Sequence, residues 1–170
     1  MVTLMANTRA IFVNAEAWRA TARILYQQLR HDRMQFVGPA IASAAFSLEL
    51  YFKTIYEMDS VSNRPQVHNL LVLFRNLSPQ RRRQIQERYD TATGSMQQLI
   101  KKTTGKDHGI EKVLEDARDI YEIMRYIHEG GRPGIAWNAD PVLNAVRAVI
   151  LEENPDWSAS SGPRPTSPAR

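Results

Sequence analysis

AIASAAFSLELYFKTIYEM, residues 40–58, is the most apolar helical stretch of the chain. A helix built from this stretch carries apolar residues on nearly every side, which is typical of a helix buried at the centre of a protein. Gly38 and Pro39 precede it, and Pro is tolerated in the first turn of a helix. Polar residues follow from 59 to 66 and include Pro65, which marks a loop. The stretch therefore predicts a central helix that begins near Gly38 and ends near Met58.

Apolar residues recur at three- and four-residue steps on both sides of this stretch, as in amphipathic helices. A first helix is expected from an Asn14 cap to about residue 30, with an inward stripe of Ala15, Trp18, Ala22, Leu25, Tyr26 and Leu29. Further helices are expected at 68–77, from 79 onward with an interruption at Gly94, from 110 to about 129, and from 140 to 153. Ser78 is expected to cap the helix that starts at 79, with Pro79 in its first turn. No stretch alternates at period two for long enough to indicate a sheet. The sequence predicts an all-α, up-and-down bundle of five to six helices.

The chain length of 170 residues suits one domain, which we expect over residues 1–153. Residues 154–170, NPDWSASSGPRPTSPAR, contain four Pro and four Ser and are predicted to be a disordered tail. The absence of Cys excludes a disulfide scaffold, a thiolate zinc site and a Cys nucleophile. No apolar run approaches the roughly 20 residues that span a membrane. The stretch from Met1 to Asn14 lacks the charge pattern of a signal peptide. A cytoplasmic protein without membrane partners is expected.

The net charge of +4 is concentrated in residues 75–106, which hold eight Lys and Arg against two acidic side chains. Such a segment is able to bind nucleic acid, and the candidate patch is Arg81, Arg82, Arg83, Lys101 and Lys102. Two other interpretations stay open: a solvated helix face, and a helix-turn-helix over residues 70–89.

Motifs for phosphate loops, zinc sites and Ser nucleophiles are missing, so no metal and no cofactor is expected. The polar residues on apolar helices are more informative. Glu49 and Lys53 lie four positions apart in the central helix, in the order that favours an ion pair. They lie either on an exposed edge of that helix or in a polar cluster between helices, because a buried charge needs a partner.

Three segments in this order resemble the HEPN superfamily of helical domains: AAFSLELYFKTIYEM, HNLLVLFRNLSPQRRRQI and IYEIMRYIHEG. They span roughly residues 37–129. The resemblance implies a bundle of four or five helices that is often dimeric. It also implies binding of a nucleotide or RNA, or a partner of the nucleotidyltransferase type. Many members of the superfamily are RNA-cleaving toxins or defence nucleases with an Arg followed by a His after four to six residues. In this chain two residues separate Arg125 from His128, three separate Arg64 from His68 and seven separate Arg23 from His31, so the motif is not present.

We therefore expect a non-catalytic HEPN-like domain, in a toxin–antitoxin or defence setting, that binds a nucleotide, RNA or a protein partner. Its expected ligand-binding residues are Glu49, Lys53, His68, Arg125, Tyr126 and Glu129. Two residues of the late helix, Arg125 and Glu129, are expected to lie beside Glu49 and Lys53. The alternatives are a metal-free endoribonuclease that uses Arg125 and His128, and a module that only binds proteins.

Overall fold

A computed structural model describes residues 2–29, 34–61, 65–117 and 137–160 of the chain. Within these ranges there are six α-helices and two short 3-10 helices, and no strand. The α-helices are α1 (Val2–Leu29), α2 (Val37–Met58), α3 (Leu70–Arg75), α4 (Pro79–Thr104), α5 (Ile110–Asp116) and α6 (Asp140–Glu153). The 3-10 helices are Met34–Phe36 and Pro155–Ser160. The prediction of an all-α protein is confirmed. No helix in the described part of the chain combines the length and apolar character needed to span a membrane.

The second helix, α2, lies at the centre of the molecule, as its sequence predicts. It packs against α1, α3 and α6, and Leu48, Tyr51, Phe52 and Ile55 are completely buried. The small residues of α2 let α1 approach closely: Ser47 Oγ donates to the carbonyl oxygen of Ala15 at 2.9 Å. This close packing makes α2 the element on which the other helices are placed.

Side-chain contacts give the directions of the long helices. Trp18 packs on Phe46, with ring centroids 5.3 Å apart, and Phe12 lies nearer the start of α1 but contacts Tyr51, further along α2. The start of α4 contacts the end of α6 through Arg81. The first helix therefore runs opposite to α2, and the start of α4 lies against the end of α6.

The first helix differs from the sequence-based expectation in two ways. It begins at Val2, so Asn14 lies in its middle and caps nothing. The stretch before Asn14 contains neither Pro nor Gly, and Thr8 and Phe12 extend the buried face, so nothing ends the helix there. Trp18 was also expected to face inward, but it is partly exposed and packs on Phe46 at the edge of the core.

The fourth helix is continuous through Gly94, where an interruption was expected. A glycine costs a helix about 1 kcal/mol relative to alanine, which the surrounding turns tolerate. The helix begins as predicted, with Ser78 Oγ accepting from the Arg81 amide and Pro79 in the first turn. It ends at Gly105, whose φ of 71° is the left-handed conformation that glycine adopts most readily.

The fifth helix ends earlier than the sequence predicts. It spans Ile110–Asp116, and Ala117, in a turn, is its C-terminal cap. The single continuous helix expected from 110 to about 129 is therefore wrong at this point. Residues 118–136 lie outside the described residues, so the helical structure expected there stays a prediction.

Part of the C-terminal segment that was predicted to be disordered forms a 3-10 helix. Residues 155–160 fall within the segment whose composition predicts disorder, and the structure places them in a 3-10 helix. The reason is Trp157, which is buried and packs on Phe12 with ring centroids 5.3 Å apart. An average composition over the whole segment hides the contribution of this one large side chain. Residues 161–170 lie outside the described residues, and their disorder stays a prediction.

Candidate functional site

Three of the residues expected to bind a ligand meet at one place. Glu49 of α2 is 4% exposed, and its carboxylate accepts from Lys53 Nζ at 2.6 Å. The same carboxylate lies 3.1 Å, through each of its oxygens, from Nδ1 of His68. We call Glu49, Lys53 and His68 the Glu49 cluster. Its members come from two segments of the chain, α2 and the loop that leads into α3.

Local structure explains why His68 reaches α2. Asn69 caps α3, its Oδ1 accepting from the amide of Val72 at 3.0 Å, so α3 begins at Leu70. His68 therefore lies just before the helix rather than inside it. Leu70, completely buried, fixes this end of α3 on the core. The imidazole is held against Glu49 while 74% of the side chain stays exposed.

The Glu49 cluster balances one buried carboxylate with two basic side chains. A buried carboxylate is costly unless a cation or donor satisfies it, and here Lys53 and His68 both do so. Glu49 is buried, whereas Lys53 is partly exposed and His68 largely exposed, so the two basic side chains reach solvent. The carboxylate of Glu49 thus contacts both basic side chains at once.

The remaining expected ligand-binding residues, Arg125, Tyr126 and Glu129, lie outside the described residues, as does His128. Their predicted position beside Glu49 and Lys53 stays a prediction.

The expected nucleic-acid patch is divided by the structure. Arg81 is 8% exposed, and its guanidinium donates to Asp59 Oδ1 at 2.7 Å and to Glu153 Oε2 at 3.0 Å. Two hydrogen bonds raise the pKa of Arg81 above its usual value. The bond to Glu153 has the largest effect, followed by the bond to Asp59. Arg81 therefore joins the ends of α2, α4 and α6 and does not present its charge to a polyanion.

The other patch residues lie towards the two ends of α4. Arg82 is half-buried and Arg83 exposed near its start, whereas Lys101 and Lys102 are exposed near its end. Arg83 and Lys101 are about 27 Å apart along the helix axis, at 1.5 Å per residue. Lys101 pairs with Asp107 at 2.9 Å. The helix-turn-helix interpretation also weakens, because Arg81, the first basic residue of its second helix, is buried.

Carboxylates offset further charges of the basic segment. Arg75 pairs with Glu111, and Arg88 pairs with Glu152. Much of the local positive charge that the sequence shows is therefore balanced by residues far away in the chain.

A second polar network was not expected from the sequence. The Tyr51 hydroxyl donates to Glu16, and Arg147 Nε donates to the same Glu16 oxygen at 2.8 Å. Burial, followed by the hydrogen bond to Glu16, raises the pKa of Tyr51 well above its usual value. The sequence signals for this network were Glu16, next to the inward stripe of α1, and Arg147, next to the inward stripe of α6. The network is largely buried and joins α1, α2 and α6.

A groove of about 520 Å³ runs between α4 and α6. Ala92, Ala145 and Ala148 are among the residues that line it, as are Arg88 and Glu152, which form an ion pair. Among the described residues no group of three or more His, Asp or Glu is placed to hold a metal ion.

Comparison with known proteins found no match: no family model, no curated protein and no solved structure matches this chain. Within the described part of the chain, the Glu49 cluster is the feature that points most directly to a function.

Proposed function

We propose that this chain is a non-catalytic, HEPN-like helical domain that binds the phosphate groups of a nucleotide or RNA at the Glu49 cluster. The single observation that carries the proposal is the position of Glu49. One buried carboxylate lies within 3.1 Å of two basic side chains that reach solvent. A phosphate oxygen accepts hydrogen bonds from an ammonium and from an imidazole N–H, and such charge-assisted bonds are stronger than neutral ones.

Each residue of the cluster has a distinct role in this proposal. Lys53 contributes a positive charge and donates to the phosphate. When His68 is protonated at both ring nitrogens, Nδ1 donates to Glu49 and Nε2 donates to the phosphate, while Glu49 orients both basic side chains. Arg125 would add a second cation, Tyr126 would stack on a base and Glu129 would orient Arg125, in keeping with the resemblance.

The proposal is tested by the binding of a fluorescein-labelled single-stranded RNA, measured by fluorescence anisotropy at low and high salt. A thermal-shift measurement with ATP tests nucleotide binding on the same samples. We expect Lys53→Gln and His68→Ala each to weaken binding about tenfold or more, since a charge-assisted hydrogen bond contributes about 1.5–3 kcal/mol. Binding to RNA should weaken as salt rises.

Lys112→Gln is the matched control. Lys112 forms the same four-residue ion pair with Asp116, at 2.7 Å, but on the surface of α5. Its variant should bind both probes as the native chain does. If the native chain binds neither RNA nor ATP at low salt, or if Lys112→Gln weakens binding as much as Lys53→Gln, the proposal is wrong.

One observation favours a second candidate function, a metal-free endoribonuclease. A carboxylate against Nδ1 of a histidine is the arrangement that orients an imidazole for proton transfer. Incubation of RNA with the protein in EDTA separates the two functions. Intact RNA supports the non-catalytic domain. Cleavage that is lost in His68→Ala or in His128→Ala identifies a nuclease and its general acid or base. Absence of both binding and cleavage leaves the protein-interaction module.

A further inference from the structure

Arg19 of α1 presents one edge of its guanidinium to a neutral partner. Its Nη2 donates to Oδ1 of Asn144 on α6. Its Nε is buried and has no hydrogen-bond partner among the residues that the structure describes. Nε and Nη2 share one edge of the planar guanidinium, and this edge is able to donate two parallel hydrogen bonds. Because an unpaired buried donor costs free energy, the edge is suited to a partner with two acceptor oxygens.

Two other arginines of the chain use the same edge to bind a carboxylate. Nε and Nη2 of Arg81 donate to the carboxylate of Asp59 at 3.0 and 2.7 Å. Nε and Nη2 of Arg75 donate to the carboxylate of Glu111 at 3.1 and 2.6 Å. In both pairs the carboxylate satisfies the two nitrogens that share the edge. At Arg19 a single amide oxygen takes this place and leaves Nε unpaired.

The polar network next to Arg19 contains more positive than negative charge. Glu16 lies one turn before Arg19 on α1, and it accepts from Arg147 Nε at 2.8 Å and from the Tyr51 hydroxyl. Burial raises the pKa of Tyr51, whereas the positive charges of Arg19 and Arg147 act in the opposite direction, so both guanidiniums lie near this phenol. The network thus combines two guanidiniums with one carboxylate, and one positive charge is left unbalanced within it.

We propose that Arg19 anchors a binding site for a small organic carboxylate, which displaces the side chain of Asn144 and accepts from both Nε and Nη2. Asn144 is exposed, so its side chain is able to turn away into solvent. It also lines the groove between α4 and α6, whose volume of about 520 Å³ is within the usual range of small-molecule sites. The rest of the ligand then lies in this groove, beside Pro141 and Ala148, which are one turn from Asn144 on α6. The site is separate from the Glu49 cluster, and the inference does not depend on the ligand proposed there.

The charge of the network favours a carboxylate over a phosphate. A carboxylate carries one negative charge, which matches the one unbalanced positive charge. A phosphate monoester carries about 1.5–2 negative charges at neutral pH, and its excess would lie near Glu16, whose side chain is only 10% exposed. The planar carboxylate also matches the two parallel N–H bonds of the guanidinium edge. A singly charged organic acid is therefore the ligand class that fits this site.

Binding of 4-fluorobenzoate to the full chain, measured by the broadening of its fluorine NMR signal, tests the proposal. The uncharged 4-fluorobenzamide has the same ring and should bind about tenfold more weakly or worse, because it lacks the charge-assisted hydrogen bonds. Arg19→Lys keeps the positive charge but loses Nε and the planar edge, so it should weaken benzoate binding about tenfold or more. Arg23→Lys is the matched control, because Arg23 is an exposed arginine on the same helix, and its variant should bind benzoate as the native chain does. Circular dichroism checks that both variants keep their helices.

Asn144→Asp tests the same site from within the chain. The new carboxylate takes the place proposed for that of the ligand, so this variant should lose benzoate binding, and its Tm should rise by about 2–4 °C. Competition tests the class of anion, and acetate should displace benzoate at a lower concentration than phosphate does. Benzoate that does not bind the native chain overturns the proposal, as does equal binding of benzoate and benzamide. Undiminished binding to Arg19→Lys or to Asn144→Asp, or better displacement by phosphate than by acetate, overturns it as well.

Discussion

Replacing Arg81 by methionine tests whether the buried ion pairs at the ends of α2, α4 and α6 hold the bundle together. Arg81 donates to Asp59 and Glu153, and methionine keeps much of its apolar length but leaves both carboxylates without this partner. Breaking a buried ion pair from one side costs about 3–5 kcal/mol. Glu153 is 48% exposed and regains water, so we expect a loss near the low end, about 3 kcal/mol. For a chain of this length, a loss of about 3 kcal/mol lowers Tm by about 6–12 °C.

The measurement is urea or thermal unfolding at neutral pH, followed by circular dichroism. Arg75→Met is the matched control, because Arg75 pairs with Glu111 at 2.6 Å while both side chains are about half exposed. An exposed pair contributes about 0–1 kcal/mol. A double-mutant cycle of Arg81→Met with Glu153→Ala should give a coupling of about 1–2 kcal/mol, since the two side chains are in contact. An Arg81→Met variant no less stable than Arg75→Met, with no coupling to Glu153, would contradict this account of the ion pairs.

Three further predictions concern pH and the end of the chain. The hydrogen bond from Arg81 lowers the pKa of Glu153, so its contribution to stability is present above about pH 4.5 and is lost as the pH falls further. The difference in free energy of unfolding between the native chain and Arg81→Met should narrow between about pH 5 and 3. A difference that stays constant over this pH range would mean that Arg81→Met loses only the packing of the Arg81 side chain and not an ion pair with Glu153. Burial raises the pKa of Tyr56 to about 12, and burial with the hydrogen bond to Glu16 raises that of Tyr51 well above its usual value. The free energy of unfolding should therefore fall above about pH 10, where these phenols ionise only in the unfolded chain. An absorbance titration of the folded chain in which all six tyrosines ionise near pH 10 would contradict this. Trp157→Ala should lower stability by about 3–5 kcal/mol, as for other buried tryptophans, and a loss below about 1 kcal/mol would show that the 3-10 helix does not pack on the core.

Features that depend on residues close in the chain were predictable from the sequence. Apolar spacing identified the helical class and the central position of α2, and Ser78 with Pro79 marked the start of α4. The pairing of Glu49 with Lys53 also follows from a four-residue spacing on one helix. The sequence left open whether this pair lies on an exposed edge or in a cluster between helices. In the structure Glu49 is buried and contacts His68 of the loop before α3, while Lys53 is partly exposed.

Features that join residues far apart in the chain became visible only in the packed bundle. Arg81 follows the pattern of a surface basic run, yet Asp59 and Glu153, 22 and 72 positions away, hold it in the interior. His68 meets Glu49 across 19 positions of the chain. The physical reason is that local spacing fixes which face of a helix is apolar, whereas the partner of a charge depends on how whole helices pack. Residue spacing was thus enough to predict the helical class and the approximate position of most helices in the described part of the chain. The packing of those helices selected which polar residues face solvent and which stabilise the interior.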